Sequence, residues 1–166
     1  MEAPQEAQIH VAMLPTPGMG HLIPLSELAR KLLKQYSSIT ITFIIPNDGT
    51  PMKPQKALFK SLPSIKTIFL PTVNFDDLPE DTLIETRIGL SVIRSLTDIR
   101  KALMELHEST PVSAFMVDFF GTFTFEVVKD LGIPFYMFFP SPAMVLSLGL
   151  HINELDESCT CEYRDL

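Results

Sequence analysis

Short apolar runs alternate with helical patterns along the whole chain. Five runs are almost wholly apolar or β-branched and predict buried strands: residues 9–14, 39–45, 66–70, 113–117 and 133–139. Apolar residues at helical spacing predict helices in four segments: residues 22–33, 53–62, 84–106 and 122–131. Strands that are apolar on both faces and alternate with helices are typical of α/β proteins. The pattern therefore predicts a Rossmann-like parallel sheet with helices on both faces.

The net charge and the cysteines indicate which partners and which cellular location to expect. The chain has 166 residues and a formal net charge of −7, and no run of Lys or Arg exceeds two residues. Nucleic acid is therefore not expected as a partner, because phosphate backbones are bound by clustered cations. Cys159 and Cys161 are too close for an unstrained disulfide and lack the spacing of a zinc knuckle. We expect two reduced thiols, which indicates a cytoplasmic protein.

One segment has the composition of a membrane span. Residues 131–153 contain no Asp, Glu, Lys or Arg, but three prolines interrupt them. Proline breaks regular helices, so we expect a strand, a turn and a helix inside a core rather than a span.

The turn after the first predicted strand carries the first candidate for chemistry. Residues 15–20 read PTPGMG and lead into a helix, but Ile23 stands where a dinucleotide fingerprint needs its third glycine. His21 then falls in the first turn of that helix, where the positive end of the dipole disfavours imidazolium. A neutral imidazole at the carboxyl edge of a sheet is a candidate general base. A capping or surface histidine is the alternative.

Asp118 is the second candidate, because it ends the fourth predicted strand and precedes two phenylalanines. The carboxyl ends of parallel strands share one edge of the sheet, so Asp118 and His21 are expected to meet. A carboxylate bonded to one ring nitrogen fixes the tautomer and stabilises the imidazolium that forms. The alternative is a cap on the following helix. His10, His107 and His151 show no metal-ligand spacing.

Several strings resemble one enzyme family. Residues 14–25, LPTPGMGHLIPL, look like the first strand, loop and helix of the plant family 1 UDP-dependent glycosyltransferases. Further strings resemble the hydroquinone glucosyltransferase (arbutin synthase) subgroup of that family: residues 43–49, 73–79, 138–141, 143–148 and 161–166. The resemblance extends over essentially the whole chain.

This resemblance implies an inverting GT-B enzyme with two Rossmann-like domains. His21 would deprotonate a phenolic acceptor hydroxyl, and Asp118 would orient it. UDP-glucose would be the donor co-substrate, with no metal or other cofactor. The partners implied are a small phenolic acceptor and a UDP-sugar, and the full-length protein would be a monomer.

Site residues beyond this pair are also expected. Apolar residues that flank the pair or follow the fifth strand are expected to bind the acceptor: Met19, Phe119, Phe120, Met144 and Leu148. Three small residues are expected on the donor side: Thr16, Gly20 and Ser141.

One departure from the family pattern concerns the donor. The family's donor signature, which opens with Trp and contains His-Cys-Gly-Trp-Asn-Ser, is absent, and the sequence has no Trp. We therefore expect residues 1–166 to be an incomplete N-terminal acceptor domain without the UDP-sugar-binding domain, and inactive alone. The alternatives are a catalytically inactive binding remnant and an unrelated Rossmann-like oxidoreductase.

Overall fold

The computed structural model describes residues 8–49, 52–158 and 160. Within them the strands are β1 (Ile9–Leu14), β2 (Ile39–Asn47), β3 (Ile65–Thr72), β4 (Val112–Val117) and β5 (Phe135–Met137). The helices are α1 (Met19–Gln35), α2 (Lys53–Lys60), α3 (Ile84–Arg94), α4 (Leu96–Ser109), α5 (Phe125–Asp130) and α6 (Ala143–Ser158), with a 3₁₀ helix, η1 (Phe119–Thr124). Cys159 and Cys161 lie outside the described residues, so the expectation of reduced thiols stays a prediction.

The strands form one parallel sheet in the order β3-β2-β1-β4-β5. The predicted α/β class is therefore confirmed. The strand order reverses at β1, which pairs with β2 on one side and with β4 on the other. In open parallel sheets, ligands bind beyond the carboxyl ends of the strands at such a switch point. The register aligns Leu14 with Val117, so the residues that follow β1 and β4 are neighbours.

Two apolar layers enclose the sheet, because successive strand residues point to opposite faces. On β1, Val11 and Met13 pack with α1 and α2, whereas Ala12 and Leu14 pack with α3, α4 and α5. Both faces of the central strands are thus covered, which explains why these strands are apolar throughout.

The single helix predicted over residues 84–106 is wrong, because the structure has two helices that meet at Ser95. Ser91 and Ser95 are buried, and their hydroxyls donate to the carbonyls of Ile88 and Ser91 at 2.6 and 2.7 Å. Bonds of this kind compete with the helical ladder and bend helices. Leucine and isoleucine spacing alone does not reveal this competition.

The expectation of a helix inside a core for the end of the chain is also wrong. The predicted strand at residues 133–139 shortens to the three residues of β5, and α6 has no buried side chain among the described residues. The reason is topological, since β5 is the edge strand and α6 follows it beyond the two layers that cover the sheet. None of the described helices has the length and apolar character needed to cross a membrane.

Candidate active site

The loop between β1 and α1 brings His21 to the switch point. Gly18 precedes α1 with a φ of +112°, a region that residues with a Cβ rarely adopt. Its carbonyl accepts the backbone N–H of Leu22 at 3.2 Å, which begins the helix. His21 therefore lies in the first turn of α1, as predicted, and its side chain is 26% exposed.

Asp118 follows β4 and is fully buried. Its Oδ2 accepts the backbone N–H of Thr16 at 2.7 Å and the hydroxyl of Thr16 at 2.8 Å. Its Oδ1 accepts the N–H of Gly121 at 3.3 Å and so caps η1. The carboxylate thus joins the loop after β1 to the turn after β4. The capping role held as an alternative is present in addition to the contact with His21.

His21 and Asp118 meet as the topology predicts. The ring Nδ1 of His21 lies 3.3 Å from Oδ2 of Asp118. This is an ion-pair distance, yet Nδ1 makes no well-formed hydrogen bond. Whether the two residues act in catalysis stays a prediction.

The carboxylate determines the direction in which the His21 pKa moves. The side-chain contact of Asp118 with the imidazole, and to a lesser extent its negative charge, raise the pKa of His21 above its usual value, although partial burial opposes this. The net shift is therefore opposite to the one expected from the helix N-terminus alone. A charge at 3.3 Å outweighs the partial charge of one helix end.

This geometry is suited to proton transfer. Because Nδ1 of His21 faces the carboxylate, Nε2 is the nitrogen left to accept a proton from another group. The buried carboxylate stabilises the imidazolium that forms, which is the role of the acid in histidine-based triads. A raised pKa also makes the imidazole a stronger base in its neutral form.

Aromatic rings flank the imidazole. The ring of Phe120 lies 5.7 Å from that of His21 in an edge-on arrangement, and the ring of Phe119 lies 5.5 Å from that of Phe120. Phe119 is 53% exposed and also contacts Phe139, at 6.4 Å. The structure thus brings Phe120 next to His21 and Phe119 next to Phe120. Phe139, the last residue of the fifth predicted strand, was not among the predicted acceptor residues.

The other predicted acceptor residues lie elsewhere. Met19 packs against the apolar layer formed by α1 and α2. Met144 and Leu148 are exposed on α6, where they line a groove of about 560 Å³ together with His151. Their predicted role in acceptor binding stays a prediction.

The predicted donor-side residues differ in exposure. Gly20 and Ser141 are exposed. Thr16 is only 2% exposed, and its hydroxyl is bonded to Asp118. Their contact with a donor sugar stays a prediction.

The remaining histidines have structural partners. His10 is buried, with Nδ1 3.2 Å from the carbonyl of Thr110 and Nε2 2.9 Å from the hydroxyl of Thr42. Nδ1 of His107 accepts the backbone N–H of Val112 at 3.2 Å. Within the part of the chain that the structure describes, no three His, Cys, Asp or Glu side chains are grouped to hold a metal ion.

The described part of the chain is thus a parallel α/β sheet with a carboxylate-paired histidine at its switch point. The fold is that of the N-terminal domain of plant UDP-glycosyltransferases of GT-B type. No protein-family model matches the chain. The resemblance seen in the sequence is nevertheless confirmed by individual relatives and solved structures, which are UDP-glycosyltransferases.

Two curated relatives are similar over nearly all of the chain. A hydroquinone glucosyltransferase from Rauvolfia serpentina is 48% identical over 158 residues, which are 95% of this chain and 33% of the relative. UDP-glycosyltransferase 72B1 from Arabidopsis thaliana is 45% identical over 159 residues, with the same coverage. The chain therefore spans about one third of the length of the relatives it matches.

Two solved structures give the same result. UGT2 of Phytolacca americana, complexed with UDP-2-fluoro-glucose and pterostilbene, is 42% identical with a TM-score of 0.90 and covers 95% of this chain, which spans 36% of it. A UDP-glucosyltransferase of Polygonum tinctorium that glucosylates indoxyl, in complex with 3,4-dichloroaniline, is 44% identical with a TM-score of 0.89. It covers 98% of this chain, which again spans 36% of the larger protein.

Proposed function

We propose that this chain forms the acceptor side of an inverting, UDP-glucose-dependent glucosyltransferase that acts on phenolic hydroxyls. The observation that carries the proposal is the contact of His21 with the buried Asp118 at the switch point of the sheet. The names of the relatives support the donor and the acceptor class.

In the proposed reaction, Nε2 of His21 accepts the proton of a phenolic hydroxyl while Asp118 stabilises the resulting imidazolium. The phenolic oxygen attacks the anomeric carbon of UDP-glucose from the face opposite to UDP. UDP leaves, and the product is a β-glucoside. A phenol has a pKa of about 10, so a base that removes its proton during attack lowers the barrier at neutral pH.

In the proposed enzyme, one domain binds the acceptor and a second domain binds the sugar donor. Residues 1–166 bind and deprotonate the acceptor, and a C-terminal domain of the family type binds UDP-glucose. Holding the two reactants in near-attack geometry can account for about 7–11 kcal/mol of the barrier. We therefore expect residues 1–166 alone to bind phenols weakly at most and to transfer no sugar.

The finer assignments belong to the same proposal. The exposed ring of Phe119 lies beside Phe120, which contacts His21, and offers a flat apolar surface for an aromatic acceptor such as hydroquinone or a phenylpropanoid. A cytoplasmic location follows from the expectation of two reduced thiols, and the family resemblance suggests a monomer.

A chimera tests the proposal directly. The chain is joined to the two thirds of the Rauvolfia serpentina relative that it does not match. With UDP-glucose and hydroquinone, we expect the chimera to form a glucoside detectable by mass spectrometry. The unfused chain should form none. General-base catalysis contributes about 10²–10⁴-fold, so His21→Gln should lower the rate of the chimera by that order.

A matched control removes an imidazole that lies outside the proposed site. His107 is exposed near the end of α4 and accepts the N–H of Val112 at the start of β4, at the opposite edge of the sheet from His21, so His107→Gln should leave the rate unchanged. A folded chimera that binds hydroquinone but forms no glucoside would favour the binding remnant. Turnover by the unfused chain that is lost in His21→Gln would show that one domain is sufficient.

A further inference from the structure

Three donors converge on a single oxygen of Asp118. Oδ2 accepts the backbone N–H of Thr16 at 2.7 Å and its hydroxyl at 2.8 Å, while Nδ1 of His21 lies 3.3 Å away. Thr16 and Asp118 are 2% and 0% exposed, so these contacts are shielded from solvent. Thr16 is thus the residue that satisfies the oxygen facing the imidazole.

We propose that Thr16 is a positioning residue of the His21–Asp118 pair, whose hydroxyl limits how closely the imidazole approaches the carboxylate. The inference rests on the proposed function, because it assigns Thr16 a part in tuning the proposed base. It also gives the Thr16 hydroxyl a partner other than a donor sugar.

Oδ2 of Asp118 can accept only a limited number of hydrogen bonds. Each oxygen of a carboxylate has about two lone-pair sites, and the two short bonds from Thr16 occupy both sites on Oδ2. A third donor then lacks a well-directed lone pair, which explains why Nδ1 of His21 stays at 3.3 Å without a well-formed hydrogen bond.

Removal of the hydroxyl should therefore strengthen the pair. The carboxylate would stay in place, since the backbone N–H of Thr16 still binds Oδ2 and the N–H of Gly121 still binds Oδ1. A free lone pair on Oδ2 would let His21 approach and form the missing bond. Bonding to the charged form of a base favours that form, so the pKa of His21 should rise further.

The groups around His21 allow a change in its pKa to be assigned to one cause. Among the described residues, Asp118 is the charged group that acts on His21, and the neighbouring ring of Phe120 carries no charge. Thr16 is itself neutral. A change in the titration of His21 on altering Thr16 therefore reports the hydrogen bonding of the carboxylate.

The experiment is an NMR pH titration of the histidine ring signals of the 166-residue chain. The chain has four histidines, and His21→Ala identifies the signal of interest. Thr16→Ala should shift the His21 midpoint upward, and Thr16→Ser, which keeps the hydroxyl, should restore the original midpoint. Thr16→Val provides a second removal of the hydroxyl if the alanine variant does not fold.

The matched control is Thr42→Ala, because Thr42 is also a buried threonine, but its hydroxyl contacts His10. This variant should leave the His21 midpoint unchanged. A purely structural role of Thr16 would lower stability without moving the midpoint, and that result, or a downward shift, would overturn the inference. A chimera that forms no glucoside, combined with the upward shift, would instead reject only the proposed function.

Discussion

Asp118 should be a major determinant of stability as well as of chemistry. Replacement by alanine leaves the backbone N–H and the hydroxyl of Thr16 without their acceptor in a buried site, whereas the N–H of Gly121 keeps the backbone carbonyl of residue 118 as an acceptor at 3.0 Å. The two bonds from Thr16 are short and charge-assisted, and such bonds contribute about 1.5–3 kcal/mol each. The desolvation of the carboxylate, which the variant no longer incurs, offsets part of this loss.

We therefore expect Asp118→Ala to lower the free energy of unfolding by about 3–5 kcal/mol, the usual cost of breaking a buried charged interaction from one side. That is a large fraction of the roughly 5–15 kcal/mol that stabilises a typical domain. Urea denaturation followed by circular dichroism gives the value, with the m-value confirming that the same transition is compared.

Asp77→Ala is the matched control, because Asp77 is an exposed carboxylate paired with Arg94 at 2.7 Å. Exposed ion pairs contribute little to stability, so Asp77→Ala should change the free energy of unfolding far less than Asp118→Ala. A loss below about 1 kcal/mol in Asp118→Ala would refute the reasoning, since an ordinary surface substitution changes stability by that little.

Three further predictions concern the loops and the pH dependence. Gly121→Ala would place a Cβ 2.5 Å from that of the buried Val117, so chemical denaturation should show a loss of about 1–3 kcal/mol or more. Gly18→Ala should cost about 1–3 kcal/mol because its φ is +112°, whereas Gly20→Ala meets open space and should cost less. The raised pKa of His21 stabilises the fold below its unfolded value, near 6.5, and this contribution is lost as the pH rises through the folded value. The difference in unfolding free energy between the parent and His21→Gln should therefore be larger at about pH 6 than at about pH 9.

The placement of His21 and Asp118 at the same edge of the sheet was predictable from the sequence. Each residue follows a strand of a parallel sheet, and alternating apolar strands and helices indicate such a sheet. The adjacency of β1 and β4, by contrast, depends on the strand order, which no local pattern specifies. The sequence therefore supports the prediction of an α/β sheet more strongly than the prediction that His21 contacts Asp118.

Other features depend on contacts that sequence patterns do not contain. The break at Ser95 arises from the buried hydroxyls of Ser91 and Ser95, and their burial follows only from packing. The two hydrogen bonds from Thr16 to Asp118 join residues that are 102 positions apart. The exposure of α6 reflects its position beyond the edge strand, whereas its apolar composition suggested burial.

The most direct test of the central claim is the pH dependence of kcat/KM in the chimera with hydroquinone. If His21 is the base and Asp118 tunes it, the acidic limb of the profile has the midpoint that NMR gives for His21. In Asp118→Asn that limb should move to lower pH, because the negative charge is removed and the neutral amide oxygen is a weaker acceptor, while partial burial still lowers the His21 pKa. A limb that Asp118→Asn leaves in place, or one that persists in His21→Gln, would contradict the account.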